Sequence, residues 1–463
     1  MQYISTRGHG PVSFTQTLLE GLAPDGGLYL PEYYPQIEQN DLENMADMTY
    51  QQVAFHVMYP YVKEDIPAAT FKKMIAEAYQ HFDESEVVKL CKIKDGLTVL
   101  ELFHGPTLAF KDVALQLLGQ MFEWVLKQEK RTATVIGATS GDTGPAAIEG
   151  VAGLDNVQAF ILYPHNRVSE IQRRQMTTVN RANIHPIAIE GTFDDCQKIV
   201  KTLLNQQPFA AQVGATSINS ISWARLLPQT VYYFYTWSRL YKQWGDKAPT
   251  FVVPTGNFGD IFAGYVAKQM GLPVNKLLLA SNVNDILTRF VRSGDYSTRP
   301  VVATQSPSID IQIASNFERY IFDLLGRDAQ KTENIMLNFA QNGVLEGVSD
   351  DILQKVQTTF ISQKTTEDET QACIKNVYEQ YEYLLDPHSA VAMAAALAHE
   401  ELNPQVVLAT AHPAKFPDAV KQASGVHPAL PPHLSDLLER EENFTVLPVS
   451  DEKVKDFILK YVK

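Results

Sequence analysis

Short apolar runs that pass through a glycine- and hydroxyl-rich turn straight into an amphipathic helix recur along this chain, and no other feature restricts its fold so strongly. Thr134-Val135-Ile136 runs into Gly-Ala-Thr-Ser-Gly-Asp-Thr-Gly at 137–144, with Pro145 suited to open a helix over 146–151. Phe251-Val252-Val253 runs into Pro-Thr-Gly-Asn-Phe-Gly-Asp at 254–260 and a helix ending near Gly271. Val406-Val407-Leu408 leads through Ala409-Thr410-Ala411-His412-Pro413 into a helix from about Lys415. Strands apolar at every residue are buried on both faces, and a helix after each strand returns the chain to the same end of its sheet. The expected class is therefore α/β, with parallel sheets covered by helices.

The pattern divides the chain into an N-terminal accessory lobe over 1–95, a smaller α/β lobe over 96–215 and a larger α/β lobe over 216–463. The smaller lobe carries Lys111 and the 137–144 loop, the larger one the loop at 255–259. After Lys111, Ala114, Leu117, Leu118, Met121, Phe122 and Val125 recur at helical spacing on one face, although Gly119 weakens the helix locally. The stretch 289–386 reads as an insertion in, or an extension of, the larger lobe, with a helical segment over 350–363. The Ala-rich run 389–399 reads as a helix with Ser389 as its N-cap.

Charge and composition remove several classes of function. With 53 acidic against 39 basic residues and a net charge of −14, most of the surface repels nucleic acid and anionic membranes. Cys91, Cys196 and Cys373 are odd in number and have no metal-ligand spacing, so buried thiols in a reducing cytoplasm are expected, and no metal. The first residues lack the basic and apolar regions of a secretory signal, and the longest uncharged stretch, 202–224, is too polar to cross a membrane. An acidic chain that binds a phosphorylated anion needs a local site of N–H groups, hydroxyls and a few cations.

Three segments could supply one. Lys111 follows the apolar Leu108-Ala109-Phe110 at a helix start, where desolvation and the helix N-terminus disfavour the ammonium and free the amine as nucleophile or base. Taken alone, it reads first as a surface lysine snorkelling from the helix start, and only its neighbouring segments favour the chemical reading. Thr255-Gly256-Asn257-Phe258-Gly259 is small and polar enough to turn several N–H groups onto a phosphate, with Asp260 capping the following helix; a ligand-free tight turn is the alternative. It is neither a P-loop nor a dinucleotide fingerprint. Thr139, Ser140 and Thr143 suit an α-carboxylate, while Asp142 among them either bonds a cofactor hydroxyl or a substrate amine, or caps the helix.

Taken together, Phe-His-Gly-Pro-Thr-Leu-Ala-Phe-Lys-Asp at 103–112, the 137–144 loop and Val-Pro-Thr-Gly-Asn-Phe-Gly-Asp at 253–260 resemble the signature segments of the threonine synthase family, in its longer bacterial and fungal class. So do Tyr3 to Gly8, Pro24 to Leu28, Ser217 to Arg225 and Thr410 to Phe416, in family order over nearly the whole chain. The resemblance implies a pyridoxal 5'-phosphate enzyme of the tryptophan-synthase-β-like fold that turns O-phospho-L-homoserine and water into L-threonine and phosphate, as a monomer or homodimer. It implies that Lys111 is the Schiff-base lysine, with Phe110 beside it, and that Thr255, Gly256, Asn257, Phe258 and Gly259 hold the cofactor phosphate. Thr410 matches the position facing the pyridine nitrogen, and Asn219, Ser220 and Arg225 match the group that holds the substrate phosphate, joined by Thr107. Asp142 stands where many of the wider pyridoxal group have Asn on the cofactor ring, which leaves its own contact open. A dehydratase or β-replacement enzyme of the same group, which needs no second phosphate site, is the nearest competitor; a non-catalytic homologue of the same fold is the more distant one.

Overall fold

In the computed structural model, which describes residues 1–83, 86–218 and 221–462, the apolar runs of the sequence are strands. In chain order these are β1 (Tyr3–Ser5), β2 (Tyr29–Pro31), β3 (Lys89–Lys94), β4 (Leu97–Glu101), β5 (Ala133–Ala138), β6 (Val157–Pro164), β7 (Ile184–Ile189), β8 (Ala215–Thr216), β9 (Thr250–Pro254), β10 (Leu277–Ser281), β11 (Phe360–Lys364), β12 (Gln405–Ala409) and β13 (Thr445–Leu447). Besides the small β1–β2 pair they build a six-stranded sheet, ordered β11-β10-β9-β12-β4-β3, and a five-stranded sheet, ordered β13-β7-β6-β5-β8. All pairings in the five-stranded sheet are parallel, and in the six-stranded one only the edge strand β3 runs against its neighbour. β9, β10 and β12 are buried at every residue, as runs without alternation require.

Sheet membership does not follow the boundaries expected from the sequence. β4, placed by its pattern in the smaller lobe, pairs with β12 in the six-stranded sheet, and β13, near the end of the stretch expected for the larger lobe, pairs with β7 in the five-stranded one. The segment expected as one helix over 350–363 is a helix only for Asp350–Thr359; its last residues form β11, an edge strand on β10. The helix after β5 opens at Thr143, not beyond Pro145. Asp386, not Ser389, caps the Pro387–Leu397 helix, accepting from the N–H groups of His388 and Ser389. Of the thiols, Cys196 and Cys373 are buried and form no disulfide, and Cys91 is half-buried.

The sheets are tied together by helices that bury almost everything they carry. The Trp223–Trp244 helix is buried at every residue from Trp223 to Ser238 and packs against the Tyr50–Val62, Lys111–Glu129 and Gly259–Gln269 helices. The apolar face predicted after Lys111 is buried as expected, in a helix spanning Lys111–Glu129. Gly119, unfavourable by propensity, is where that helix meets the Thr143–Val151 helix backbone to backbone: a Cβ on Gly119 would lie 1.8 Å from Gly150 O. Gly119→Ala is expected to lower stability by at least about 2 kcal/mol, since backbone cannot yield as a side chain can. Chemical denaturation of the variant against the parent measures it.

Candidate active site

Because β4, β12 and β9 are parallel neighbours, the loops that follow them leave from one edge of the six-stranded sheet. The loop after β4 carries Lys111, the loop after β12 carries Thr410, and the loop after β9 is 255–259. The first two are sewn together by backbone bonds: Phe110 N–H donates to Thr410 O (2.9 Å), His412 N–H to Leu108 O (3.0 Å), and Ala109 bridges Ala411. Lys111 is thereby set at the first residue of its helix beside Thr410, with its ammonium 5.7 Å from the Phe110 ring centroid. Asp112 closes the loop from the other side, accepting from Thr107 N–H (2.8 Å) and Thr107 Oγ1 (2.7 Å). Burial pushes Asp112 up to about 6, against those two bonds. The Thr107 hydroxyl proton is thus spent within its own loop, and toward a substrate it can only accept.

From the five-stranded sheet, β5 delivers Asp142 to the same place. Its Oδ2 lies 3.7 Å from Lys111 Nζ, and its Oδ1 lies 3.0 Å from Lys415 Nζ and accepts from Gln172 Nε2 at 3.0 Å. Ser308 Oγ adds a 3.4 Å contact to Oδ2. Burial would raise this carboxyl, but Lys415 first, then Lys111 and His388, hold it well below the usual carboxylate range. Lys111, only 8% exposed, is pushed down to about 8. Desolvation is the main cause, Arg225 and Lys415 act in the same direction, and Asp142 opposes them. Asp142 makes no capping bond to the helix it precedes, so its weight is on the cations.

The 255–259 loop fits a phosphate by shape. Phe258 adopts φ 63° at the turn into the Gly259–Gln269 helix, which has no side-chain cap. A Cβ on Gly256 would lie 2.2 Å from Ser308 O, so only glycine lets the loop pass beneath that segment. Asp260 does not cap the helix as expected: it accepts from Tyr232 OH (2.5 Å) and Tyr233 OH (2.9 Å), and burial pushes it up to about 6. The Thr255 hydroxyl donates to Val253 O (2.8 Å) and is a brace of the turn. Asn316 donates to Asn257 O through both its N–H and its Nδ2 (3.1 Å each). An uncapped helix start behind a glycine-bearing turn, with a buried low-pKa amine on another loop of the same sheet edge, is the donor set that a phosphorylated aldehyde cofactor requires.

Arg225 completes the set. It is 5% exposed, in the first turn of the Trp223–Trp244 helix, and its Nη1 is buried with no hydrogen-bond partner among the described residues. Desolvation pushes it down to about 10. A buried guanidinium without a partner is costly in an empty site and is stabilised by an arriving anion. The calls at Asn219 and Ser220 lie outside the described residues. In the 139–144 loop the Thr139 hydroxyl accepts from the N–H groups of Gly141 (3.1 Å) and Gly144 (3.0 Å), which stiffens the turn, while Ser140 is exposed and Thr143 half-buried.

Residues that sequence reasoning passed over hold this arrangement in place. Lys415 lies inside the Thr410–Phe416 segment whose resemblance was read, yet its own role had no local signal. His388 Nε2 accepts from Ser308 N–H (3.1 Å), so its proton is on Nδ1, toward Asp386 Oδ2 at 2.7 Å. Arg319, fully buried and pushed down to about 9 by burial, donates to Tyr29 O, Asn316 and Ile221 O, linking the N-terminal region to both anion loops. A cavity of about 460 Å³ lined by Glu101, His104, Tyr383 and the Pro428–Pro432 segment shares Leu108, His412 and Pro413 with these loops but contains neither Lys111, Asp142 nor Arg225.

Comparison with known proteins agrees with this geometry. Family models match over residues 2–79 (threonine synthase N terminus), 86–338 (pyridoxal-phosphate dependent enzyme) and 389–458 (threonine synthase, C-terminal). A threonine synthase of Pseudomonas aeruginosa is 47% identical, covering 100% of this chain and 98% of its own. The solved structure of a PLP-bound threonine synthase from Brucella melitensis superposes with a TM-score of 0.96 at 49% identity, covering 100% of both chains. That of yeast threonine synthase gives 0.95 at 40% identity, covering 99% of this chain and 98% of its own.

Proposed function

This chain belongs to the threonine synthase family of pyridoxal-phosphate-dependent enzymes, and on that premise we propose how its residues convert O-phospho-L-homoserine and water to L-threonine and phosphate. The observation that supports the reading is the buried Arg225 guanidinium, unpartnered at Nη1 among the described residues and close enough to weaken the charge on Lys111. One amine and two anion cradles are what a phosphorylated amino-acid substrate and a phosphorylated cofactor together need.

When bound, pyridoxal phosphate supplies an electron sink that makes the substrate's Cα proton removable. Lys111 would carry it, Gly256 to Gly259 with Thr255 would receive its phosphate at the helix start, and Phe110, Asp142 and Thr410 would contact its ring. A hydroxyl at Thr410, in place of a carboxylate, tunes the protonation of the ring nitrogen. With the substrate in place, the Lys111 amine would take the Cα proton and, once it has given that proton up, a Cβ proton, a task suited to an amine whose burial brings it to about 8. Arg225, with Asn219 and Ser220, holds the γ-phosphate as its bond to Cγ breaks, while Thr107, whose hydroxyl and N–H both donate to Asp112, braces the Lys111 loop instead; the dianion that Arg225 retains is placed to help deprotonate the incoming water. Protonation at Cγ, addition of that water at Cβ and reprotonation at Cα complete threonine. Ser140, the Thr143 hydroxyl and the Thr143 N–H at the helix start receive the α-carboxylate, with Thr139 bracing the turn through the Gly144 N–H.

Turnover should depend strictly on the γ-phosphate. With O-phospho-L-homoserine the protein should release threonine and phosphate in equal amounts, and with L-homoserine or L-serine it should be inert. Comparable lyase turnover of L-serine would point instead to a dehydratase. No helix among the described residues is long and apolar enough to cross a membrane, and the two buried thiols Cys196 and Cys373, which form no disulfide, support a cytoplasmic location; the protein acts as a monomer or homodimer.

A further inference from the structure

Asp142 lies between two lysines that hold it unequally. Lys415 Nζ is 3.0 Å from its Oδ1 and also donates to Thr107 O at 2.7 Å, whereas Lys111 Nζ stands 3.7 Å from Oδ2. Lys415 is 0% exposed, so the carboxylate and that carbonyl, not water, are what it has to solvate its charge. Gln172 Nε2 shares Oδ1 with it, and Ser308 Oγ reaches Oδ2. The carbonyl of Thr107 belongs to the loop closed by Asp112, next in sequence to Lys111. Lys415 therefore ties the Asp142 loop of one sheet to the Lys111 loop of the other.

Resting on the reading of Lys111 as the cofactor-bearing lysine, we propose that Lys415 is a positioning residue that draws the Asp142 carboxylate away from Lys111, so that no tight ion pair locks the Lys111 nitrogen in its protonated form. When two cations share one buried anion, the cation with the poorer geometry releases its proton first. The titratable groups facing Lys111 are Asp142, Arg225 and Lys415; those facing Asp142 are the two lysines and His388. An Asp142–Lys415 pair is neutral as a unit. It leaves beside Lys111 the same net charge that a single amide at position 142 would, which accounts for an aspartate at a position where an asparagine is the alternative.

The test is a pH titration of the visible absorbance that Lys111 and the cofactor give together, in the full-length holoenzyme. Lys415→Met leaves Asp142 to Lys111 alone, and the midpoint should rise by about one pH unit, a tenfold change in the protonated-to-neutral ratio. Asp142→Asn removes the anion and leaves Lys415 in place, and the midpoint should fall. The Asp142→Asn/Lys415→Met double variant should return toward the parent. A purely structural lysine would lower the melting temperature without moving the midpoint in this order, and an unchanged or lowered midpoint in Lys415→Met overturns the proposal. If Lys415→Met fails to fold, the decision passes to Asp142→Asn against the double variant: the midpoint must rise from the first to the second, and equal midpoints overturn it. Absence of any absorbance in the parent protein would instead remove the reading of Lys111 on which the proposal rests.

Discussion

Lys111→Ala folds, shows no visible absorbance band with pyridoxal phosphate and forms threonine at least about a thousandfold more slowly than the parent. Retention of the fold follows from the partners the side chain leaves behind. Asp142 keeps Lys415 at 3.0 Å and Gln172 at 3.0 Å, so truncating Lys111 strands no buried carboxylate. The loop keeps its backbone bonds to Thr410 and Leu108 and its Thr107–Asp112 closure, none of which involves the lysine side chain. What disappears is the one amine that burial has brought to about 8 at a helix start. Lys415, though near, is committed to Asp142 and Thr107 O and cannot take its place. Absorbance spectra and product assays on the purified variant check both parts; a variant that still forms the band assigns cofactor attachment elsewhere.

Arg225→Met keeps the absorbance band and loses about 30- to 700-fold in kcat/KM for O-phospho-L-homoserine, corresponding to about 2–4 kcal/mol of charge-assisted binding. The same substitution should raise the melting temperature of the ligand-free protein, because it removes a buried cation whose Nη1 has no partner among the described residues. Inorganic phosphate should stabilise the parent and have little effect on the variant. These two responses separate a substrate-phosphate role from a packing role, since a guanidinium needed for packing would leave the variant less stable. Steady-state kinetics with thermal denaturation, with and without phosphate, measure them together.

The site was legible in the sequence wherever function depends on a contiguous segment. Strand, small polar turn and helix succeed one another at 134–151 and 251–269, and those turns sit where anion loops were expected, because a helix start needs only its own few residues. Reading failed where one residue had two local explanations. Asp260 looked like a cap and is instead bonded to Tyr232 and Tyr233 from the Trp223–Trp244 helix. Asp142, read as a cap or a ligand contact, makes no capping bond, and the Lys415 that holds it was not foreseen. Gly119 looked like a helix weakness and is a point of backbone contact.

By itself, then, the chain's sequence determined the strand, turn and helix units at 134–151 and 251–269, the parallel α/β class, the buried face after Lys111 and the choice of candidate lysine and candidate anion turns, since these rest on periodicity and on neighbours a few residues apart. Only the tertiary structure decided which sheet β4 and β13 join, that 360–364 is a strand, and that Lys415, His388 and Arg319 brace the site. Those outcomes depend on contacts between residues far apart in the chain. A buried charge declares its partner only when folding has removed the water that would otherwise have served it.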